Sequence, residues 1–208
     1  MKLVTFLYPG MTTLDLVGPH EVLARLPDAD VIRVAEKAGP VMADTGLQLV
    51  ADAAISEIDS ADILLMPGGT DTWPLLGNEA VLDWVRRIDV GSQWTTSVCT
   101  GSLVYAAAGL LTGHKATTHW ATMDVLKEFG AEPVKSRVVE SGKYVTAAGV
   151  SAGIDMGLTL AARIAGDEFA QLMQLAIEYD PEPPFDAGSP EKAPHLKDAV
   201  IAALSPAG

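Results

Sequence analysis

Short apolar runs alternate with longer stretches in which apolar residues recur every three or four positions, and the alternation continues along most of the 208 residues. "KLVTFLY" (2–8), "DVIRVA" (30–35), "ADILLMPGG" (61–69) and "SQWTTSV" (92–98) have the length and content of buried strands, each closing near a turn signal. Residues 14–26, 78–89 and 100–111 carry helical spacing instead. "VMADTGLQLV" (41–50) reads as a small β excursion turned at Thr45-Gly46. Strands that alternate with helices predict a mostly parallel sheet covered on both faces.

The second half continues in the same way. "HKATTHW" (114–120) predicts a short strand leading into a helix over 121–129, and "SRVVESGKYVTA" (136–147) a hairpin turned at Ser141-Gly142. Two helices follow, at 151–165 and 167–179, then the Pro-rich "DPEPPFDAGSPEKAP" (180–194) in extended form, then a last helix over 195–204. Neither a repeat nor a break in composition divides the chain. Residues 1–208 are therefore expected to form one domain, within the roughly 200–250 residues a single core can serve.

Composition narrows the partners. Hydrophobic residues make up 49% of the chain, too many for extensive disorder. The apolar stretches are broken well short of the ~20 residues that span a bilayer. The opening "MKLVTFLYPG" lacks the long apolar core of a secretory signal, so a cytoplasmic protein with no membrane partner is expected. A formal charge of −13 counts against nucleic acid, whose phosphates need a basic surface. The single cysteine rules out an intramolecular disulfide or a cysteine-rich cluster. His20, His114, His119 and His195 lack the spacing of a zinc site, and neither metal nor cofactor is expected.

That one cysteine, Cys99, falls between a strand and a helix opening with Thr100-Gly101. In open α/β sheets ligands bind beyond the carboxyl ends of the strands, where this thiol would stand. A helix N-terminus and unpaired backbone N–H groups favour thiolate over thiol, so a lowered pKa is expected. The competing reading is an inert buried cysteine. Pro67-Gly68-Gly69 ends another strand, and Gly68 and Gly69 would let the backbone approach a ligand and offer it N–H groups. An ordinary tight turn explains them equally. Asp15, flanked by Leu14, Leu16 and Val17, is either a buried proton donor and acceptor or a helix cap. His119 beside Trp120 is either a pocket residue or a packed one, and Trp73, Trp94 and Trp120 are candidates for an apolar pocket wall.

Together, "FLYPGMTTLDLVGPHEVL", "LLMPGG", "TTSVCTGSLVYAAAGLLTGHKATTHW", "SAGIDMGLTLAARIAG" and "EYDPEPPFDAGSP" resemble the ThiJ/PfpI superfamily and, within it, the isonitrile hydratase branch. The resemblance runs from about residue 3 to about residue 190. It implies a flavodoxin-like three-layer sandwich with a nucleophile elbow, a homodimer, and hydration of isonitriles to N-substituted formamides without metal or organic cofactor. It makes Cys99 the nucleophile, Asp15 its carboxylate partner and Thr100 the neighbour lining the pocket. Many superfamily members carry Glu where Asp15 stands, and the shorter side chain leaves more room beside the sulfur.

Related activities fit the residues less well. Class I glutaminases need a histidine followed two residues later by a carboxylate, a spacing found nowhere here. PfpI-type peptidases place histidine directly after the cysteine, where this chain has Thr100. AraC-type regulators share the elbow but need a DNA-binding region, and the stretch after 179 is short, Pro-rich and acidic. A glyoxalase-like or protein-repair enzyme acting on α-dicarbonyls would use the same thiol, and a non-catalytic ligand or redox sensor would keep the same pocket. These stand as the alternatives.

Overall fold

In the computed structural model, which describes residues 1–204, seven strands form one sheet. In spatial order they are β10 (Val138–Ser141), β11 (Tyr144–Ala147), β7 (Trp94–Val98), β6 (Ile63–Met66), β1 (Lys2–Phe6), β2 (Asp30–Ala35) and β5 (Ala53–Ala54). Every pairing is parallel except the β10–β11 hairpin. Two small sheets stand apart: the antiparallel pair β3 (Gly39–Met42) and β4 (Gln48–Ala51), and the parallel pair β8 (Lys115–Ala116) and β9 (Glu132–Pro133). The helices are α1 (Thr13–Leu23), α2 (Glu79–Gly91), α3 (Gly101–Ala107), α4 (Met123–Glu128), α5 (Ala152–Ala165), α6 (Asp167–Ala176) and α7 (Lys197–Leu204). This is the expected flavodoxin-like sandwich. None of the described helices is long and apolar enough to cross a membrane.

The two-residue period of the strands divides the core. On β1 and β6, Val4, Phe6, Leu64 and Met66 face one side, where Trp84 of α2 and Tyr105 of α3 pack. Leu3, Ile63 and Leu65 face the other, against Val22 of α1 and Met156 and Leu160 of α5. Strands apolar on both faces can only be central, which is why their sequences read as continuous apolar runs. The two largest buried rings keep their polar atoms satisfied: Trp84 Nε1 donates to Ile58 O at 3.1 Å and Tyr105 OH to Thr96 O at 2.9 Å.

Glycines set how closely α1 and α5 approach. A Cβ on Gly157 would lie 3.2 Å from Pro19 Cα, and one on Gly153 would lie 3.0 Å from Pro19 Cδ and 3.1 Å from Val98. The small residues draw α1 down onto the end of β7. Asp15 and Cys99 are thereby carried to the same place.

Two expectations change. The helix over 100–111 ends at Ala107, because Gly109 adopts a φ of 82° that closes a helix. The strand over 114–120 shrinks to Lys115–Ala116. Beyond it side chains replace the ladder: Thr146 Oγ1 accepts from Thr117 N at 2.9 Å, and Thr118 Oγ1 donates to Cys99 O at 3.0 Å.

Candidate active site

β7 delivers Cys99 to the carboxyl edge of the sheet, and the chain turns there within one residue. Cys99 has φ 55°, a left-handed conformation costing on the order of 1–3 kcal/mol. The surroundings hold it: Cys99 N donates to Ala148 O at 2.9 Å and Ala147 O at 3.1 Å, while Cys99 O accepts from Thr118 Oγ1 and, at 3.2 Å, from Ser102 Oγ. Thr100 precedes α3 as its cap, and Gly101 follows because a Cβ there would lie 2.2 Å from Met66 O. The sharp strand–Cys–helix junction expected from the sequence is present.

Asp15 sits in the first turn of α1 and is fully buried. It does not cap the helix, which begins after Thr12. Its Oδ2 accepts from Gly68 N at 2.9 Å, the carboxyl group contacts the Cys99 thiol, and Oδ1 has no partner among the described residues. Burial is the main cause that pushes Asp15 up to about pKa 7, opposed by the bonds from Gly68 and Cys99. Cys99, 7% exposed, is also pushed up, first by burial and then by the negative charge of Asp15. Thr100 (through its N–H and hydroxyl) and the Val150 N–H donate to the sulfur and pull the other way.

The lowered thiol pKa expected from the junction is therefore reversed. α3 has only seven residues, and its positive end acts on a sulfur removed from water beside a carboxyl group. Burial thus holds both members of the pair toward their protonated forms.

The Pro-Gly-Gly turn also differs from expectation. Its N–H groups are already engaged: Gly68 N with Asp15, Gly69 N with Thr100 Oγ1 at 2.9 Å. Gly68 and Gly69 position the two side chains instead of presenting free donors to a ligand. The glycines are needed for closeness, since a Cβ on Gly68 would lie 2.5 Å from Thr100 N and 2.9 Å from Cys99 Cβ.

Three further residues complete the arrangement. Thr100 Oγ1 shares a 2.7 Å hydrogen bond with Thr72 Oγ1, which lies 2.8 Å from Tyr8 OH, and Tyr8 OH also donates to Pro67 O at 3.2 Å. Tyr8 and Thr72 escaped the sequence reading; their one signal is that each follows the end of a central strand closely. Val150 escaped it entirely. At φ 25° it is a β-branched residue in a conformation such residues avoid, and it aims its N–H at the sulfur.

A cavity of about 760 Å³ adjoins this cluster. Neither Cys99 nor Asp15 lines it; Thr118, Ala148 and Val150, which hold the elbow, are part of its wall. His119 and Trp120 line it too, with the His119 ring packed over Gly149. Trp73 and Trp94 pack against the two cores instead. Among the described residues no group of three or more His, Cys, Asp and Glu is arranged to hold a metal ion.

Known proteins share this arrangement of sequence and fold. An isonitrile hydratase of Pseudomonas putida is 49% identical over 90% of this chain and 82% of its own length. An HTH-type transcriptional regulator of Pseudomonas aeruginosa, CdhR, is 33% identical over 79% of this chain, which spans 51% of the regulator. The crystal structure of a ThiJ/PfpI family protein from Pseudomonas syringae superposes with a TM-score of 0.94 at 41% identity, over 98% of this chain and 85% of that one. The family model described as the DJ-1/PfpI family matches residues 1–163, and the chain belongs to that family.

Proposed function

We propose that this protein is an isonitrile hydratase that converts R–N≡C and water to an N-substituted formamide, with Cys99 as nucleophile and Asp15 as proton carrier. The observation that carries the reading is the buried contact between Asp15 and Cys99, in a chain half identical to a protein of that name. An isonitrile carbon accepts a nucleophile only if a proton arrives at the same carbon. A thiol that keeps its proton, beside a carboxyl group titrating near 7, is suited to deliver both.

The reaction then has two stages. Asp15 takes the thiol proton as sulfur bonds to the isonitrile carbon, and passes that proton to the carbon, giving the thioimidate R–N=CH–S–Cys99. Water adds to the same carbon, giving one proton to Asp15, which passes it to the nitrogen. Collapse of the R–NH–CH(OH)–S adduct breaks the C–S bond and releases the formamide, and the hydroxyl proton passes through Asp15 to the leaving sulfur. The N–H groups of Thr100 and Val150 stabilise negative charge on sulfur as it leaves. Both roles fall to side chains of this chain, so the reading requires no metal or organic cofactor. A homodimer belongs to the same reading, and the exposed Met42, Leu47 and Val50 around the β3–β4 hairpin offer an apolar surface for a second copy.

The test is formamide formation from phenyl isocyanide by purified protein, with Cys99→Ala as control. Turnover that disappears in the variant is expected. A Cys99→Ala protein that retains turnover, or a wild-type protein that has none, overturns the reading.

A further inference from the structure

The cavity beside the elbow has a charge that the molecule as a whole does not. The chain carries −13, yet the charged residues on this wall are Lys135, Arg137 and Lys197 against Glu191 alone. Two of the cations are engaged, Lys135 with Glu191 and Arg137 with Asp155. Lys197 forms no ion pair among the described residues. The remainder of the wall is largely apolar, with Trp120, Met123 and Val150, and about 760 Å³ is the size of a site for a small organic molecule. Val150 belongs to both places: it lines the cavity and its N–H faces the Cys99 sulfur. A substrate whose reactive end reaches the sulfur past Val150 leaves its other end in the cavity.

We propose that this cavity holds the R group of the isonitrile, and that Lys197 selects R groups made of an apolar ring or chain ending in a carboxylate. The assignment rests on the isonitrile hydratase reading and names its substrate class. A carboxylate diffusing toward an acidic protein is repelled at long range, so a local excess of cations is what an anionic substrate requires and a neutral one does not. Lys197 is exposed, and its attraction for such a group is correspondingly modest and sensitive to salt.

The experiment compares kcat/KM for 4-isocyanobenzoate and phenyl isocyanide, which differ only by the carboxylate. The expected result is a preference for the carboxylate that weakens as salt is added. Lys197→Ala is expected to lower that preference about fivefold and Lys197→Arg to keep it, the size of effect an exposed ion pair produces. Equal kcat/KM for the two compounds, or a preference that Lys197→Ala leaves intact, overturns the proposal. Calorimetry with the products separates this failure from that of the reaction itself. If neither isonitrile is hydrated, tighter binding of 4-formamidobenzoate than of formanilide, weakened by Lys197→Ala, upholds the cavity assignment, and equal or absent binding overturns it.

Discussion

Asp15 Oδ2 accepts a hydrogen bond from Gly68 N at 2.9 Å, across 53 residues of sequence. The bond fixes one carboxyl oxygen to the turn after β6 and leaves the group facing Cys99 with no freedom to swing into solvent. Burial turns this carboxyl group of a helix's first turn into a weak acid, and the bond from the glycine backbone opposes that shift.

Asp15 makes stability depend on pH. Its pKa is raised from 3.8 to about 7 in the folded protein, so between those values the native state binds the proton more strongly than the unfolded chain. Stability is fully present below about pH 4 and falls as pH rises to about 7, by at most roughly 4 kcal/mol from this group. Asp15→Asn is expected to flatten that slope in urea unfolding at pH 4.5, 6 and 8. The same substitution should lower kcat/KM for an isonitrile by about 10²–10⁴, the usual contribution of a proton-transfer group.

Thr100 joins the Gly69 N–H to Thr72 and Tyr8. Thr100→Val strands the buried Gly69 N–H and takes one partner from the Thr72 hydroxyl, which keeps Gly69 O and Tyr8 OH, at a cost of about 1–3 kcal/mol. Thr100→Ser restores both bonds. Thermal unfolding of the two variants is expected to separate them by that amount, with kcat following the same order.

Asp89 is a buried carboxylate with a structural task. It accepts from Thr95 Oγ1 at 2.6 Å, from Tyr144 OH at 3.3 Å and pairs with Lys143 Nζ at 3.0 Å, at the end of β7 away from Cys99. Asp89→Ala leaves Tyr144 OH without its partner and takes one of two partners from Thr95 Oγ1, which keeps Ser92 Oγ, and from Lys143, which keeps the Asp89 carbonyl, and is expected to cost about 1–3 kcal/mol. Urea unfolding should show that loss, while kcat of the folded fraction stays near wild type.

The exposed apolar face of the β3–β4 hairpin leads to a prediction about assembly. Val50 is 53% exposed and Met42 49%, on neighbouring strands. Val50→Glu would bury an unpaired charge in any interface built there. Sedimentation is expected to show a dimer for the wild type and mainly monomer for the variant; an unchanged dimer would place the interface elsewhere.

The sequence by itself determined the layered order of strands and helices, the two hairpins, and the position of Cys99 at a strand–helix junction. These follow from hydrophobic period and turn chemistry, which are properties of neighbouring residues. Asp15, Cys99, Gly68 and Gly69 were legible as candidates for the same reason, and Thr100 through the resemblance to the ThiJ/PfpI superfamily. Tertiary structure decided what they are chemically. It buried the sulfur beside a carboxyl group, turning an expected acidic thiol into one that keeps its proton. It consumed the Gly68 and Gly69 N–H groups on Asp15 and Thr100, brought Tyr8 to Thr72 across 64 residues, and aimed the Val150 N–H at the sulfur. Ionisation and hydrogen bonding depend on solvent exclusion and on partners distant in sequence, and both are set only when the chain closes.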